Sequence, residues 1–158
     1  MTYPTTPPQA LPLSQPLPRA SFGQAISRFF RKYATFSGRA SRSEFWWVTL
    51  FLGLIAAGFA IVGFIFMAAT GRFSETATGA EAVFSGTFLG VLYILYGLWA
   101  IAVFIPWLAL GVRRLHDVNM SGWWMLLYFI GVGAVFIYII ALIPSNPAGA
   151  RFDAPGSR

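Results

Sequence analysis

The stretch Arg113-Arg114-Leu115-His116-Asp117-Val118-Asn119-Met120-Ser121-Gly122-Trp123-Trp124 separates two long uncharged segments, and its reading decides the fold. Upstream, uncharged sequence runs from Ala82 to Val112. Downstream, an apolar run continues to Ile143 and stops before Pro144 and Pro147. A second basic-aromatic motif, Phe36-Ser37-Gly38-Arg39-Ala40-Ser41-Arg42-Ser43-Glu44-Phe45-Trp46-Trp47, leads into uncharged sequence from Phe45 to Gly71. A hydrocarbon core about 30 Å thick is crossed by ~20 residues of helix. The spacing therefore predicts an all-α membrane protein with three transmembrane helices at 46–70, 87–112 and 123–143. Ala82 to Val112 is too short for two spans and a turn, so it reads as one tilted or kinked helix with Pro106 as the kink site.

Composition agrees. The chain is 57% hydrophobic and 10% charged, against about 25% charged residues in a typical soluble domain. One compact domain is expected, because three spans consume most of the ordered length. Cysteine is absent, which excludes disulfides, thiolate nucleophiles and cysteine metal sites. The net charge of +6 clusters beside the apolar segments, so anionic lipid headgroups are its expected partner and nucleic acid is not.

Residues 1–20 carry Pro4, Pro7, Pro8, Pro12, Pro16 and Pro18 without a basic n-region or an apolar h-region. They read as a disordered Pro-rich tail, not a secretory signal. From Ser21 the pattern becomes helical. Phe22, Ile26, Phe29, Phe30 and Tyr33 share one face and Arg28, Arg31 and Lys32 the other, which predicts an amphipathic interfacial helix over 21–35 ahead of the spans. Packing of its aromatic stripe against the protein's own bundle is an equally open reading. Ser41 and Glu44 stand in the relation of a capping box at the start of the first span. Residues 148–158 read as a flexible tail.

Basic residues set the expected orientation. Arg28, Arg31, Lys32, Arg39 and Arg42 precede the first span, Arg113 and Arg114 follow the second, and Arg72 stands alone in the loop between. The positive-inside rule places the N-terminus and the Arg113-Arg114 loop in the cytoplasm, and three spans then put the C-terminus outside. Trp46, Trp47, Trp123 and Trp124 fall near the same ends and read as interface anchors. Small residues recur at helical spacing (Gly53, Ala56, Ala60, Gly63; Gly86, Gly90), which permits close helix approach within the chain or in a homo-oligomer or membrane-protein complex.

Taken together, the two basic-aromatic motifs resemble those of the domain-of-unknown-function 805 family, YhaH-like bacterial inner-membrane proteins. The resemblance covers about Ser21 to Pro155. The first motif matches throughout; the second matches in R-R-L-H-D and S-G-W-W, with Met120 where a basic or polar residue is common. Near the end, Arg151-Phe152 and Pro155 keep only part of the usual N-[RK]-[FY]-G-x-x-P pattern. The resemblance implies a bacterial inner-membrane location and no established activity.

Function rests on the charged residues between the spans. Arg39, Arg42, Arg113, Arg114 and His116 are the candidate anion-binding rim, with Glu44 and Asp117 as candidate structural ion-pair partners. His116 beside Asp117 suggests a general base, but neighbours on a helix diverge, and no nucleophile motif, phosphate loop or metal set accompanies the pair. No catalytic residue, metal or cofactor is expected. Three classes remain: a structural or accessory membrane protein, a subunit of a small oligomeric transporter or channel, and a binding module for anionic lipid or another anionic ligand.

Overall fold

The computed structural model describes residues 13–70, 79–131 and 133–153. The larger part of the Pro-rich tail, most of the connection containing Arg72 and Glu75, and the last residues of the expected flexible tail lie outside them. Among the described residues every regular element is helical. The order is α1 (Phe22–Arg31), α2 (Arg42–Ala69), α3 (Gly79–Asp117), a 3-10 helix η1 (Gly122–Ile130), α4 (Gly133–Leu142) and a second 3-10 helix η2 (Pro147–Phe152). The chain divides into two compact units, Met1–Val48 with Pro106–Arg158, and Thr49–Ile105.

Unit Thr49–Ile105 contains most of α2 and α3, packed antiparallel. Phe59 meets Tyr96 edge-on, Phe66 stacks on Phe88 with centroids 3.9 Å apart, and a Cβ on Gly63 would lie 3.4 Å from Leu92 Cδ2. An apolar groove of about 440 Å³ lies between the helices beside Ala56, Ala60 and Gly63. Large side chains face outward on both helices, among them Leu54, Phe64, Tyr93 and Ile101. α2 and α3, at 28 and 39 residues, are the two helices among the described residues long and apolar enough to cross a membrane.

α3 outruns the expected 87–112 span at both ends and continues through Pro106. Its end is fixed locally. Asn119 takes a left-handed φ of 64°, Asn119 N–H donates to His116 O (3.0 Å) and Met120 N–H to Leu115 O (2.9 Å). These are the paired bonds of a Schellman closure, which satisfies carbonyls that the helix leaves open.

The third expected span is not one helix. η1 and α4 pack against each other, joined through Gly131 at φ 80°. Gly133 lies so close to the backbone of Leu127 and Tyr128 that no side chain would fit there. Two glycines in three residues allow both the left-handed turn and the close approach. The chain therefore returns to where it left α3: Asn146 N–H donates to Asp117 O at 2.8 Å.

Both expected tails differ from their sequence reading too. η2 carries Gly149 against His116 O, and Gly38 N–H donates to Phe152 O at 2.9 Å. Residues 148–153 are thus held, and they lie beside Arg39 instead of across the molecule from it. At the other end, residues 13–20 form a strap, not a free tail: Arg39 N–H donates to Ser14 O (2.9 Å), and Ala20 N–H to Ser43 Oγ (2.9 Å). Proline cannot feed helix or sheet ladders, but Leu13 O and Gln15 O accept from Arg28, Leu17 O accepts from Ser41 Oγ, and Leu17 N–H donates to Glu44.

Candidate functional site

The charged residues of unit Met1–Val48 with Pro106–Arg158 converge where α2 begins and α3 ends, with Ala40 N–H donating to Arg113 O at 3.0 Å. The capping box at Ser41 forms: Glu44 N–H donates to Ser41 Oγ (3.2 Å) and Ser41 N–H to Glu44 Oε2 (2.8 Å). Glu44 Oε1 also meets Arg28 Nε at 2.6 Å, and Leu17 N–H donates to Oε2 at 3.2 Å. One buried carboxylate thus starts α2 and holds α1 and the strap.

That tie reverses part of the expected amphipathicity of α1. The inward face carries Ala25, Arg28, Phe29 and Lys32, while Phe22, Phe30, Arg31 and Tyr33 are exposed. A second capping box, Ser21 with Gln24, starts this helix. Arg28 continues the link by donating to Leu13 O and Gln15 O.

Arg114 and Asp117 are fully buried and paired. The Arg114 guanidinium also donates to Ile140 O (3.3 Å), Ala141 O (3.4 Å) and Ile143 O. These are carbonyls at the C-terminal end of α4, where a cation is favoured by the helix dipole. Asp117 Oδ2 takes a further bond from Ser145 Oγ at 2.6 Å. α3 and α4 are therefore joined end to end through one guanidinium and one carboxylate.

The third pair is bidentate. Arg39 Nε and Nη2 donate to Asp153 at 2.9 and 2.7 Å, and this bonding raises the Arg39 pKa above its usual value despite partial burial. Glu44, Asp117 and Asp153 are each paired with an arginine.

His116 Nδ1 lies 3.1 Å from Gly38 O, and since a carbonyl only accepts, Nδ1 carries the proton. The imidazole stacks on Phe152 with centroids 4.1 Å apart and planes 3° from parallel. It does not engage the Asp117 carboxylate, which is occupied by Arg114 and Ser145. The general-base pair suggested by adjacency is not formed.

Gly38 is the meeting point of four segments. It binds Phe152 and His116, sits at φ 82°, and a Cβ there would lie 2.6 Å from Ser14 O. Gly38→Ala should therefore cost at least the ~1–2 kcal/mol of a left-handed non-glycine residue, read as a lower melting temperature in detergent. It should also speed proteolysis at residues 13–20.

The remaining rim residues differ in exposure. Arg42 is exposed and reaches Leu142 O at 3.4 Å. Arg113 is buried, with Nε donating to Ala109 O at 3.0 Å. Trp47 Nε1 donates to Ala20 O (2.9 Å) and Trp46 stacks on Tyr138. Trp123 is the most exposed of the four anchors and Trp124 tilts against Phe136. An apolar cavity of about 470 Å³ lies between Phe36, His116 and Trp123.

Sequence reading did not single out Arg28, Ser145 or Asp153 as members of this site. Arg28 had a signal, since Ala25, Arg28, Phe29 and Lys32 fall at i, i+3, i+4 and i+7 and can form an inward stripe. Asp153 follows the retained Arg151-Phe152 pair, but nothing local marks it as the partner of a residue 114 positions away.

A family model described as "Protein of unknown function (DUF805)" matches residues 33–154. Inner membrane protein YhaI of Escherichia coli strain K12 is 36% identical over 121 residues, covering 77% of this chain and 84% of its own. Inner membrane protein YhaH of the same strain is 32% identical over 126 residues, covering 79% and 89%. No solved structure gives a significant match. The matched span contains both basic-aromatic motifs and the segment that returns to them, and the chain belongs to the DUF805 family.

Proposed function

We propose that this chain is a structural or accessory protein of the bacterial inner membrane. In this reading α2 and α3 cross the bilayer, and the η1–α4 hairpin enters the cytoplasmic leaflet without crossing. The basic-aromatic rim forms a cytoplasmic cap that ties the hairpin, the strap and the C-terminal segment together. One observation carries it: Glu44, Asp117 and Asp153 are each bound to an arginine inside the fold. Charges committed in this way fix helix ends and are not free to act on a substrate.

Several features support the placement. η1 and α4 have nine and ten residues, too short for a ~30 Å core and suited to a re-entrant segment. Cations gather at this end, while Arg72 stands alone in the opposite connection. Exposed Phe22, Phe30 and Tyr33 beside exposed Arg31 suit an interfacial helix. Exposed Arg19, Arg31, Arg42 and Arg151 would draw anionic phospholipid at ~1 kcal/mol each. Reporter fusions test the topology. A fusion at Gly79 should report the periplasm and one after Arg158 the cytoplasm; a periplasmic reporter after Arg158 would restore a third span.

A further inference from the structure

Lys32 is the only lysine in the chain and is 2% exposed. Its ammonium has no hydrogen-bond partner. Arg113, 1% exposed, spends Nε on Ala109 O and leaves Nη2 without one. Lys32 follows Arg28, the partner of Glu44, by one turn of α1, and Arg113 O accepts from Ala40 N–H beside the Ser41–Glu44 box; Arg28, Arg113 and Glu44 all act electrostatically on Lys32.

Charge does not balance there. Three cations face one carboxylate, which is already bound to Arg28 and to the Ser41 and Leu17 N–H groups. Asp153, the next acid acting on Lys32, is taken up by both nitrogens of Arg39. Burial pushes the Lys32 pKa down to about 8, and Arg28 and Arg113 push the same way. A buried cation without an acceptor is among the most costly arrangements in a protein, so the missing component is an anion.

We infer that Lys32 Nζ and Arg113 Nη2 are the donor pair of a buried oxyanion site that takes a phosphate-type group. A guanidinium edge and an ammonium point charge are the donors phosphate oxygens accept best, and an excess of two positive charges suits a phosphate monoester or a diester with partial compensation. The group is either the phosphate of an anionic lipid headgroup or inorganic phosphate. The site stands on unit Met1–Val48 with Pro106–Arg158 alone and is independent of how many segments cross the bilayer.

The single lysine makes the test direct. Protein carrying 13Cε,15Nζ-lysine gives one ammonium resonance whose titration reads Lys32. It would be followed in delipidated micelles with and without inorganic phosphate, and in nanodiscs of phosphatidylcholine with and without phosphatidic acid. A bound oxyanion should move the Lys32 pKa upward by roughly one to three pH units. A rise with inorganic phosphate assigns a free anion, and a rise confined to phosphatidic acid assigns a headgroup; either supports the site. Native mass spectrometry should find about one phosphate-bearing species per chain in the arm that shifts, lost in Lys32→Met and kept in Arg72→Gln. If Lys32→Met does not fold, Arg113→Lys should fold and bind more weakly. A Lys32 resonance that titrates near 8 in every arm, with no retained phosphorus, overturns the proposal.

Discussion

Replacing Arg114 by Met is expected to lower stability by about 3–5 kcal/mol, the usual result of breaking a buried ion pair from one side. The Asp117 carboxylate would keep Ser145 but lose its counter-charge, and the carbonyls of Ile140, Ala141 and Ile143 would lose their donor. For a chain of this length the melting temperature should fall on the order of 10 °C, followed by tryptophan fluorescence in detergent. Arg114→Lys should recover only part, because an ammonium cannot span carboxylate and carbonyls as a planar guanidinium does. Arg114→Met/Asp117→Leu should be more stable than Arg114→Met alone, since it leaves no unpaired buried charge. If all three melt with the wild type, the rim is not what holds α3 to the hairpin.

Glu44→Gln carries the second large effect, again about 3–5 kcal/mol. Glutamine can keep much of the capping geometry, so the substitution isolates charge from hydrogen bonding. What it removes is the one carboxylate paired with Arg28 and the nearest counter-charge to Lys32. Arg42→Gln is the control: this exposed side chain has a single long contact, and its loss should stay within ~0.5 kcal/mol. Faster proteolysis at residues 13–20 in Glu44→Gln, and not in Arg42→Gln, would show that the strap depends on that carboxylate. Equal rates in both would place the strap's support elsewhere.

Much of the helical order was legible because it is written in short-range chemistry. The Ser41–Glu44 box marks the start of α2, and the uncharged runs mark the two long helices. Proximity of the two motifs follows from helices joined by a short connection. The hairpin was not legible, because 123–143 is apolar throughout and hydropathy registers length without registering a turn. Only Gly131 and Gly133 mark the break between η1 and α4, through backbone freedom that an apolarity count ignores. The strap was misread for the complementary reason: proline content describes what a segment cannot do alone, whereas its carbonyl and N–H groups are bound by Arg28, Arg39 and Glu44.

The candidate site divides along the same line. Glu44 and Asp117 could be named as ion-pair partners because acids are scarce beside many arginines. Arg113, Arg114, His116 and Arg39 could be named as a rim, but not which of them the fold would consume. Arg114 goes to the end of α4, Arg39 to Asp153 and His116 to Gly38 and Phe152. These partners come from segments expected to lie across the bilayer or to be free. Once the hairpin turns the chain back, the same residues change from a ligand-facing rim to internal ties.

A single distance tests that return most directly. The chain has no cysteine, so Ser37→Cys/Ala150→Cys gives two exposed labelling sites with no background. Pulsed electron-electron resonance between nitroxides at these positions, in anionic-lipid nanodiscs, should give a separation well inside the ~30 Å hydrocarbon thickness, because Gly38 N–H is bonded to Phe152 O. A narrow distribution at or beyond that thickness would place residue 150 on the far side of the membrane and contradict the tied cap.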